Sequence, residues 1–215
     1  MAKRSTSPGR EDHGAVRPFL KWAGSKRRLV AQMAPHLPSA FGRFHEPFVG
    51  SAALFFHLRP QRASLSDTNE RLVRAYLGLR DDPDGVIELL STYPHEKGFF
   101  LDMRGQDIDT GTDAEVAAWF IYLNKTAYNG LYRVNSKNKY NVPFGDYARP
   151  NICDEPTLRR CARQLKAVKL RVSDFEAAGR RARRGDLVYF DPPYVPLSET
   201  SYFTGYTQQG FGPLP

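Results

Sequence analysis

Two cysteines in 215 residues, Cys153 and Cys161, are too few for a disulfide framework or a four-cysteine zinc site. Long apolar runs are missing as well. The longest, around Ala117 to Leu123, falls far short of the ~20 residues that a membrane helix needs. The first fourteen residues are mainly polar and carry both charge signs, so no signal peptide is visible and no membrane partner is expected. The histidines His13, His36, His45, His57 and His95 are scattered without ligand spacing, and no metal is expected. A mostly disordered chain is excluded by what is present, 41% hydrophobic and 13% aromatic residues. The length suits one intracellular domain, or one domain carrying an insertion.

Acidic residues are outnumbered, 23 against 31 lysines and arginines, for a net charge of +8. The excess is concentrated. Residues 1–30 hold eight bases against two acids, residues 158–184 hold ten against two, and 122–150 are also basic. The stretch 67–115 reverses the sign, with twelve acids against five bases. A chain polarised in this way presents a basic face that attracts polyanions such as nucleic acid. Solvated helix surface would account for the same charges, and the run Arg180-Arg181-Ala182-Arg183-Arg184 also suits a helix C-terminus.

Residues 1–16 read as a flexible tail of Ser, Pro, Gly and mixed charge. Leu29, Val30, Met33 and Leu37 share a helical face. Phe44 to Val49 reads as a strand that turns at Gly50-Ser51 into a helix, with Ser51 as its N-cap. Ala63 to Ser66 reads as a second strand closed by Asp67, and the next helix sets Leu72, Val73, Tyr76 and Leu79 on one side. This alternation predicts a parallel α/β sheet. From Asp81 to Glu155 the pattern changes to helices, including Asp113 to Asn124 with Val116, Trp119, Phe120 and Leu123 on a shared face. Leu131 to Phe144 follows, apolar at its ends and rich in Ser, Lys and Asn at its centre, which predicts a hairpin with a basic tip. The block reads as an insertion. The α/β rhythm resumes with a helix burying Leu158, Cys161, Ala162 and Leu165, then strands Val168 to Val172 and Asp186 to Phe190.

In open α/β sheets, ligands bind outside the carboxyl ends of the strands. Four predicted strand ends carry suggestive residues: Phe48-Val49-Gly50-Ser51, Asp67, Ser173-Asp174-Phe175 and Asp191-Pro192-Pro193-Tyr194. A glycine turn lets a ligand approach the backbone, and an acid closing the next strand can accept both hydroxyls of a ribose. Each is also ordinary turn or helix-cap chemistry when taken alone. In the last segment the prolines lack N–H groups and fix φ. The Asp191 carboxylate and the Pro192 carbonyl are then two acceptors, and Tyr194 is a flat face. That set suits an –NH2 group on a planar ring; a surface turn after a buried strand accounts for the same four residues.

Together and in this order, the motifs resemble the Dam-type DNA adenine-N6 methyltransferases, which use S-adenosylmethionine. The resemblance runs over residues 17–212. It is carried by Phe19-Leu-Lys-Trp-Ala-Gly-Ser-Lys26, Glu46-Pro-Phe-Val-Gly-Ser51, Ser66-Asp-Thr-Asn69, Leu123-Asn-Lys-Thr-Ala-Tyr-Asn-Gly-Leu-Tyr-Arg133, Asn141-Val-Pro-Phe-Gly145 and Asp191-Pro-Pro-Tyr-Val-Pro-Leu-Ser198. The family implies a Rossmann-like methyltransferase sheet over 17–74 and 156–215, with an inserted helical and hairpin DNA-recognition region over 75–155. It implies that Trp22, Lys26, Phe48, Gly50, Asp67, Asp174, Phe175 and Asp191 hold S-adenosylmethionine, and that Asp191, Pro192, Pro193 and Tyr194 form the active site. Lys21, Tyr128, Asn129, Leu131, Arg133, Asn135 and Asn141 would contact double-stranded DNA, with GATC the leading recognition sequence. The resemblance places such a protein in the cytoplasm, at a bacterial nucleoid or in a phage-infected cell. The tetrapeptide alone also serves cytosine N4, RNA bases or glutamine, and the hairpin motif argues against these.

Three departures stand out. Ala52 occupies a position where the family often has glycine, and Asp146 stands where a base would better suit a DNA backbone. The family continues beyond the point matching Pro215, so its C-terminal strands are expected to be missing here and Asp186 to Phe190 to form an unpaired edge. Such an edge is an aggregation liability. A second polypeptide completing the fold therefore enters the expectations, beside a catalytically silent DNA-binding remnant.

Overall fold

The computed structural model describes residues 16–26 and 29–193. Four parallel strands form one sheet: β1 (Phe44–Glu46), β2 (Ala63–Asp67), β3 (Val168–Val172) and β4 (Leu187–Val188). Their order is β3-β2-β1-β4, with Phe44 opposite both Ala63 and Leu187, and Asp67 opposite Val172. All three residues of central β1 are buried, as expected of a parallel sheet covered on both faces. Among the described residues β4 is an edge. This mixed α/β architecture agrees with the Rossmann-like expectation.

Several local readings needed tertiary correction. The first strand ends at Glu46 rather than Val49, because Pro47 has no N–H to give the ladder; pairing resumes once, from Val49 N to the Ser66 carbonyl at 3.0 Å. The last strand shrinks to Leu187–Val188, since Asp186 turns its carboxylate onto the N–H groups of Arg43 and Arg183 and onto His45. Ser51 is not an N-cap. Helix α2 (Ala53–Leu58) is preceded instead by buried Ala52 in the left-handed region, at φ 52° and ψ 37°, and Ser51 Oγ lies 2.9 Å from Ser25 Oγ. The Phe55 N–H in the first turn of α2 goes to the buried Glu46 carboxylate. Ala52 thus takes the backbone shape that glycine adopts most readily. Leu29 is exposed, because α1 (Val30–Met33) is a single turn that gives way to a 3-10 turn at Ala34–His36.

The helical block packs on α3 (Glu70–Asp81), which is capped by Asn69 and buries Leu72, Val73, Tyr76 and Leu79 as the periodicity predicts. Helices α4 (Pro83–Thr92) and α5 (Lys97–Gly105) lead to α6 (Asp113–Thr126), which starts at a Thr112/Glu115 capping box. Every residue from Val116 to Leu123 is buried, so α6 is a central helix rather than one with a single apolar face. It crosses α3 closely: a Cβ at Gly78 would stand 2.0 Å from the Asp113 carbonyl oxygen. Because α3 is continuous through position 75, the block grows directly out of the crossover from β2 to β3. The hairpin has two isolated antiparallel bridges, Val134–Tyr140 and Ala127–Phe144. Helix α7 (Glu155–Leu165) then buries Leu158, Cys161, Ala162 and Leu165, and α8 (Phe175–Gly179) joins β3 to the turn before β4.

Candidate active site and nucleic-acid interface

Parallel strands bring all four carboxyl ends to one edge of the sheet, and that edge collects Phe48 and Gly50 after β1, Asp67 closing β2, Asp174 and Phe175 after β3, and Asp191 after β4. Gly50 has φ +43°, and a Cβ there would stand 2.8 Å from Trp22 Cδ1. Glycine is required twice over, by conformation and by the indole. The Tyr76 hydroxyl donates to the Gly50 carbonyl at 2.9 Å and fixes the turn from below.

Asp67 accepts from Asn69 N at 3.0 Å and from Gly50 N at 3.5 Å. Desolvation raises its pKa to about 6, against the lowering effect of these N–H groups. Phe48 stacks on Phe175 with ring centroids 5.7 Å apart, and Phe175 is 40% exposed. Asp174 beside it accepts from Ala177 N at 2.6 Å, capping α8. An exposed aromatic face next to acids suits a planar base and a ribose.

At the end of β4, Lys26 Nζ lies 2.5 Å from Asp191 Oδ1 and 3.0 Å from the Gly24 carbonyl. Behind this pair lies Glu46, 4% exposed, whose Oε2 has no hydrogen-bond partner among the described residues. Burial, with the Asp191 charge adding to it, holds the Glu46 carboxyl well above the usual carboxylate range. The Tyr189 phenol is pushed up to about 12, first by burial and then by Asp191. Pro192 and Pro193 follow outside any helix or strand, and Tyr194 lies outside the described residues.

The hairpin residues gather elsewhere on the surface. Where α6 ends, Tyr128–Gly130 makes a tight turn with Asn129 at φ 53°, and Tyr128 is 53% exposed. Arg133 Nε donates to Asn141 Oδ1 at 2.7 Å, and a second guanidinium nitrogen reaches the Asn141 carbonyl at 3.3 Å. The Lys21 ammonium lies 4.6 Å from the Tyr147 ring centroid. Leu131 is partly buried. The Asn135 side-chain oxygen is engaged at the tip, accepting from Lys137 N and Lys139 N.

Two bridging positions escaped sequence reasoning. Buried Asn124 accepts from Lys21 N and donates to the Lys21 and Gly130 carbonyls, all at 2.8–2.9 Å, so it joins the opening motif to the recognition turn. Its signal was a lone amide at the end of an apolar helix. Arg71, only 6% exposed, pairs bidentately with Asp109 and donates to the Asn138 carbonyl at the hairpin tip at 2.7 Å. Nothing local distinguished it from a solvated helix arginine.

An edge organised in this way places the protein among the α/β enzymes that bind a nucleoside-bearing cofactor at the carboxyl ends of parallel strands. Within that class the chain belongs to the D12 class N6 adenine-specific DNA methyltransferase family, whose sequence profile matches residues 22–214. It is 45% identical over 204 residues to the type II methyltransferase M1.LlaDCHI of Lactococcus lactis, covering 91% of this chain and 72% of that protein. Against the type II methyltransferase M.MjaIII of Methanocaldococcus jannaschii the identity is 40% over 217 residues, covering 91% and 75%. The DNA adenine methylase of Haemophilus influenzae is 34% identical over 201 residues, covering 91% and 70%. The Dam-type resemblance is thereby confirmed. Such a family implies S-adenosylmethionine as methyl donor and DNA as substrate. No helix among the described residues is long and apolar enough to cross a membrane.

Proposed function

We propose that this chain transfers the methyl group of S-adenosylmethionine to the exocyclic N6 of adenine in double-stranded DNA, at GATC. The observation that carries the reading is the Lys26–Asp191 pair, set at the end of the same sheet edge as Asp67 and the Phe48–Phe175 stack. The residues present fit the cofactor: the partly desolvated Asp67 carboxylate suits ribose hydroxyls, and the exposed Phe175 face beside Asp174 suits an adenine. Bound there, S-adenosylmethionine supplies an electrophilic sulfonium methyl group.

Adenine N6 is a weak nucleophile because its lone pair is delocalised into the ring, and inside a duplex it cannot be reached, so the base is flipped out. Asp191 and the Pro192 carbonyl accept the two N–H bonds of the flipped amine and favour a pyramidal nitrogen. Lys26 holds the Asp191 carboxylate in place. The nitrogen would gain the methyl group as the methyl–sulfur bond breaks and the neutral thioether leaves, and the surplus amine proton would pass to Asp191 and on to solvent. Tyr194 supplies the stacking face for the base, replacing about 1–3 kcal/mol of lost stacking.

On the DNA side, Arg133 braced by Asn141 presents its fork to a guanine edge, Tyr128 and Leu131 wedge at the flipped position, and Lys21 contacts the site's outer base. Asn129, Asn135 and Asn141 are assigned to the same duplex contact. The recognition block is assigned to residues 75–155. The names of two relatives support a type II restriction-modification setting, and a cytoplasmic location is part of the same proposal. Incubation of the chain with unmethylated plasmid and S-adenosylmethionine, followed by mapping of N6-methyladenine, tests the reading. Modification confined to GATC is expected. Modification at another sequence overturns the specificity, and none at all, with DNA still bound, shows a silent DNA-binding remnant.

A further inference from the structure

The recognition hairpin and the cofactor turn share a side chain. Tyr132 stands between Leu131 and Arg133, and alternation along an extended segment turns it away from both neighbours and into the protein, where it is 7% exposed. Its ring lies parallel to Phe120, 4.7 Å between centroids at 13°, and to Trp22, 6.1 Å at 19°. Trp22 in turn covers Gly50, so the hairpin rests on the indole that closes the cofactor turn.

The phenol makes a second connection. It faces the side chains of Arg71 and Asn69, and the buried Asn69 Nδ2 has no hydrogen-bond partner among the described residues. Asn69 donates its N–H to Asp67 Oδ1 at 3.0 Å, and Arg71 donates to the Asn138 carbonyl at the hairpin tip at 2.7 Å. From the tip to the acid at the end of β2, Asn138, Arg71, Tyr132, Asn69 and Asp67 are therefore successive neighbours, hydrogen-bonded at the two ends and packed side by side at Tyr132.

We infer that Tyr132 is a positioning residue that couples the seating of the recognition hairpin to the cofactor turn, so that cofactor and specific DNA each strengthen binding of the other. This rests on the function proposed above. Packed interiors transmit small displacements because there is little free volume to absorb them. A ligand engaging Asp67 and the Gly50 turn fixes Asn69 and Trp22, and through them the ring and hydroxyl that set the angle of Leu131 and Arg133. By linkage, DNA held by the hairpin must tighten cofactor binding by the same factor.

The test uses the full chain, S-adenosylhomocysteine as a non-reacting probe, and a short duplex with one recognition site. Affinity for each is measured alone and with the other saturating, in the parent, in Tyr132→Phe and in Tyr132→Leu. The phenylalanine variant keeps the ring stack and loses only the hydroxyl. In the parent the mutual strengthening is expected within the usual range of about 5–150-fold. Tyr132→Phe should bind each ligand alone within about twofold of the parent while the coupling factor falls by about fivefold or more, and Tyr132→Leu should bring the factor close to one. Unchanged coupling in Tyr132→Phe overturns the inference, as does a parent that binds both ligands without coupling. Equal weakening of both separate affinities, together with a lower melting temperature, would make Tyr132 merely structural and also overturn it. A parent that binds neither ligand alone instead refutes the proposed function, a result distinct from the loss of coupling.

Discussion

Lys26 and Asp191 stand 165 positions apart and meet with Nζ 2.5 Å from Oδ1, at side-chain exposures of 18% and 24%. The contact ties the opening segment, before β1, to the chain leaving β4. It also places one cation where Glu46 and Asp191 bring two carboxyl groups near each other, with Glu46 held above its ordinary pKa by burial and by the Asp191 charge. A carboxylate braced by an ammonium is a fixed acceptor, which is what an amine nucleophile needs.

Asp191→Ala is expected to lower methyl transfer by at least about 10²-fold, the loss typical for one preorganised polar group at a reacting centre. Binding of duplex through the hairpin should remain, since Asp191 lies at the sheet edge and not among the hairpin residues. Single-turnover transfer of a labelled methyl group, with a gel-shift titration beside it, measures both. Transfer near the parental rate would remove Asp191 from the active site.

Asp67 gives a pH signature. Its folded pKa is raised from 3.8 to about 6 by desolvation, so the folded chain holds this proton more tightly than the unfolded chain does. The resulting contribution to stability is present at low pH and is lost as pH rises through about 6. Cofactor affinity should run the other way, because the ionised carboxylate is the better acceptor for two hydroxyls. Calorimetric titration with S-adenosylhomocysteine should show affinity rising with a midpoint near pH 6, and Asp67→Asn should flatten that step. A step that survives in Asp67→Asn would assign the titration to another group.

Arg133→Ala should cost about 1–3 kcal/mol on the recognition sequence and much less on random duplex, as expected of a side chain that reads a base edge. A phosphate contact behaves differently, lowering both affinities and the salt slope by about one unit. Asn141→Ala removes the brace on Arg133 Nε and should give a smaller loss of the same kind. Salt-dependent binding curves on matched specific and random duplexes separate the two cases.

Gly78→Ala tests the packing of the helical block on the sheet. The added Cβ would stand 2.0 Å from the Asp113 carbonyl oxygen and 2.9 Å from Ala114 N, so α3 and α6 must separate. Overpacking of this kind costs about 1–3 kcal/mol or more. For a domain of this size each kcal/mol lowers the thermal midpoint by about 2–4 °C. An unchanged melting curve would mean that the crossing is looser than described.

Local pattern was enough where structure is local. The buried face of α7 and the limits of β3 follow from hydrophobic spacing alone, and both match the fold. The composition of the site edge was legible as well, because an alternation of strands and helices forces parallel strands, and parallel strands bring their carboxyl ends together. Other features needed the tertiary structure. Ser51 has the side chain of a helix cap, yet packing puts Ala52 at that position in a left-handed backbone and routes the Phe55 N–H to Glu46. Four of the apolar positions of α6 suggested one face, and burial on every side came only from its neighbours. The Lys26–Asp191 pair, the Asn124 bridge and the stack of Tyr132 on Trp22 join residues far apart in the chain. Residue type and spacing determined which groups are available, whereas distances between groups that the chain does not connect locally were decided by how the sheet and helices pack.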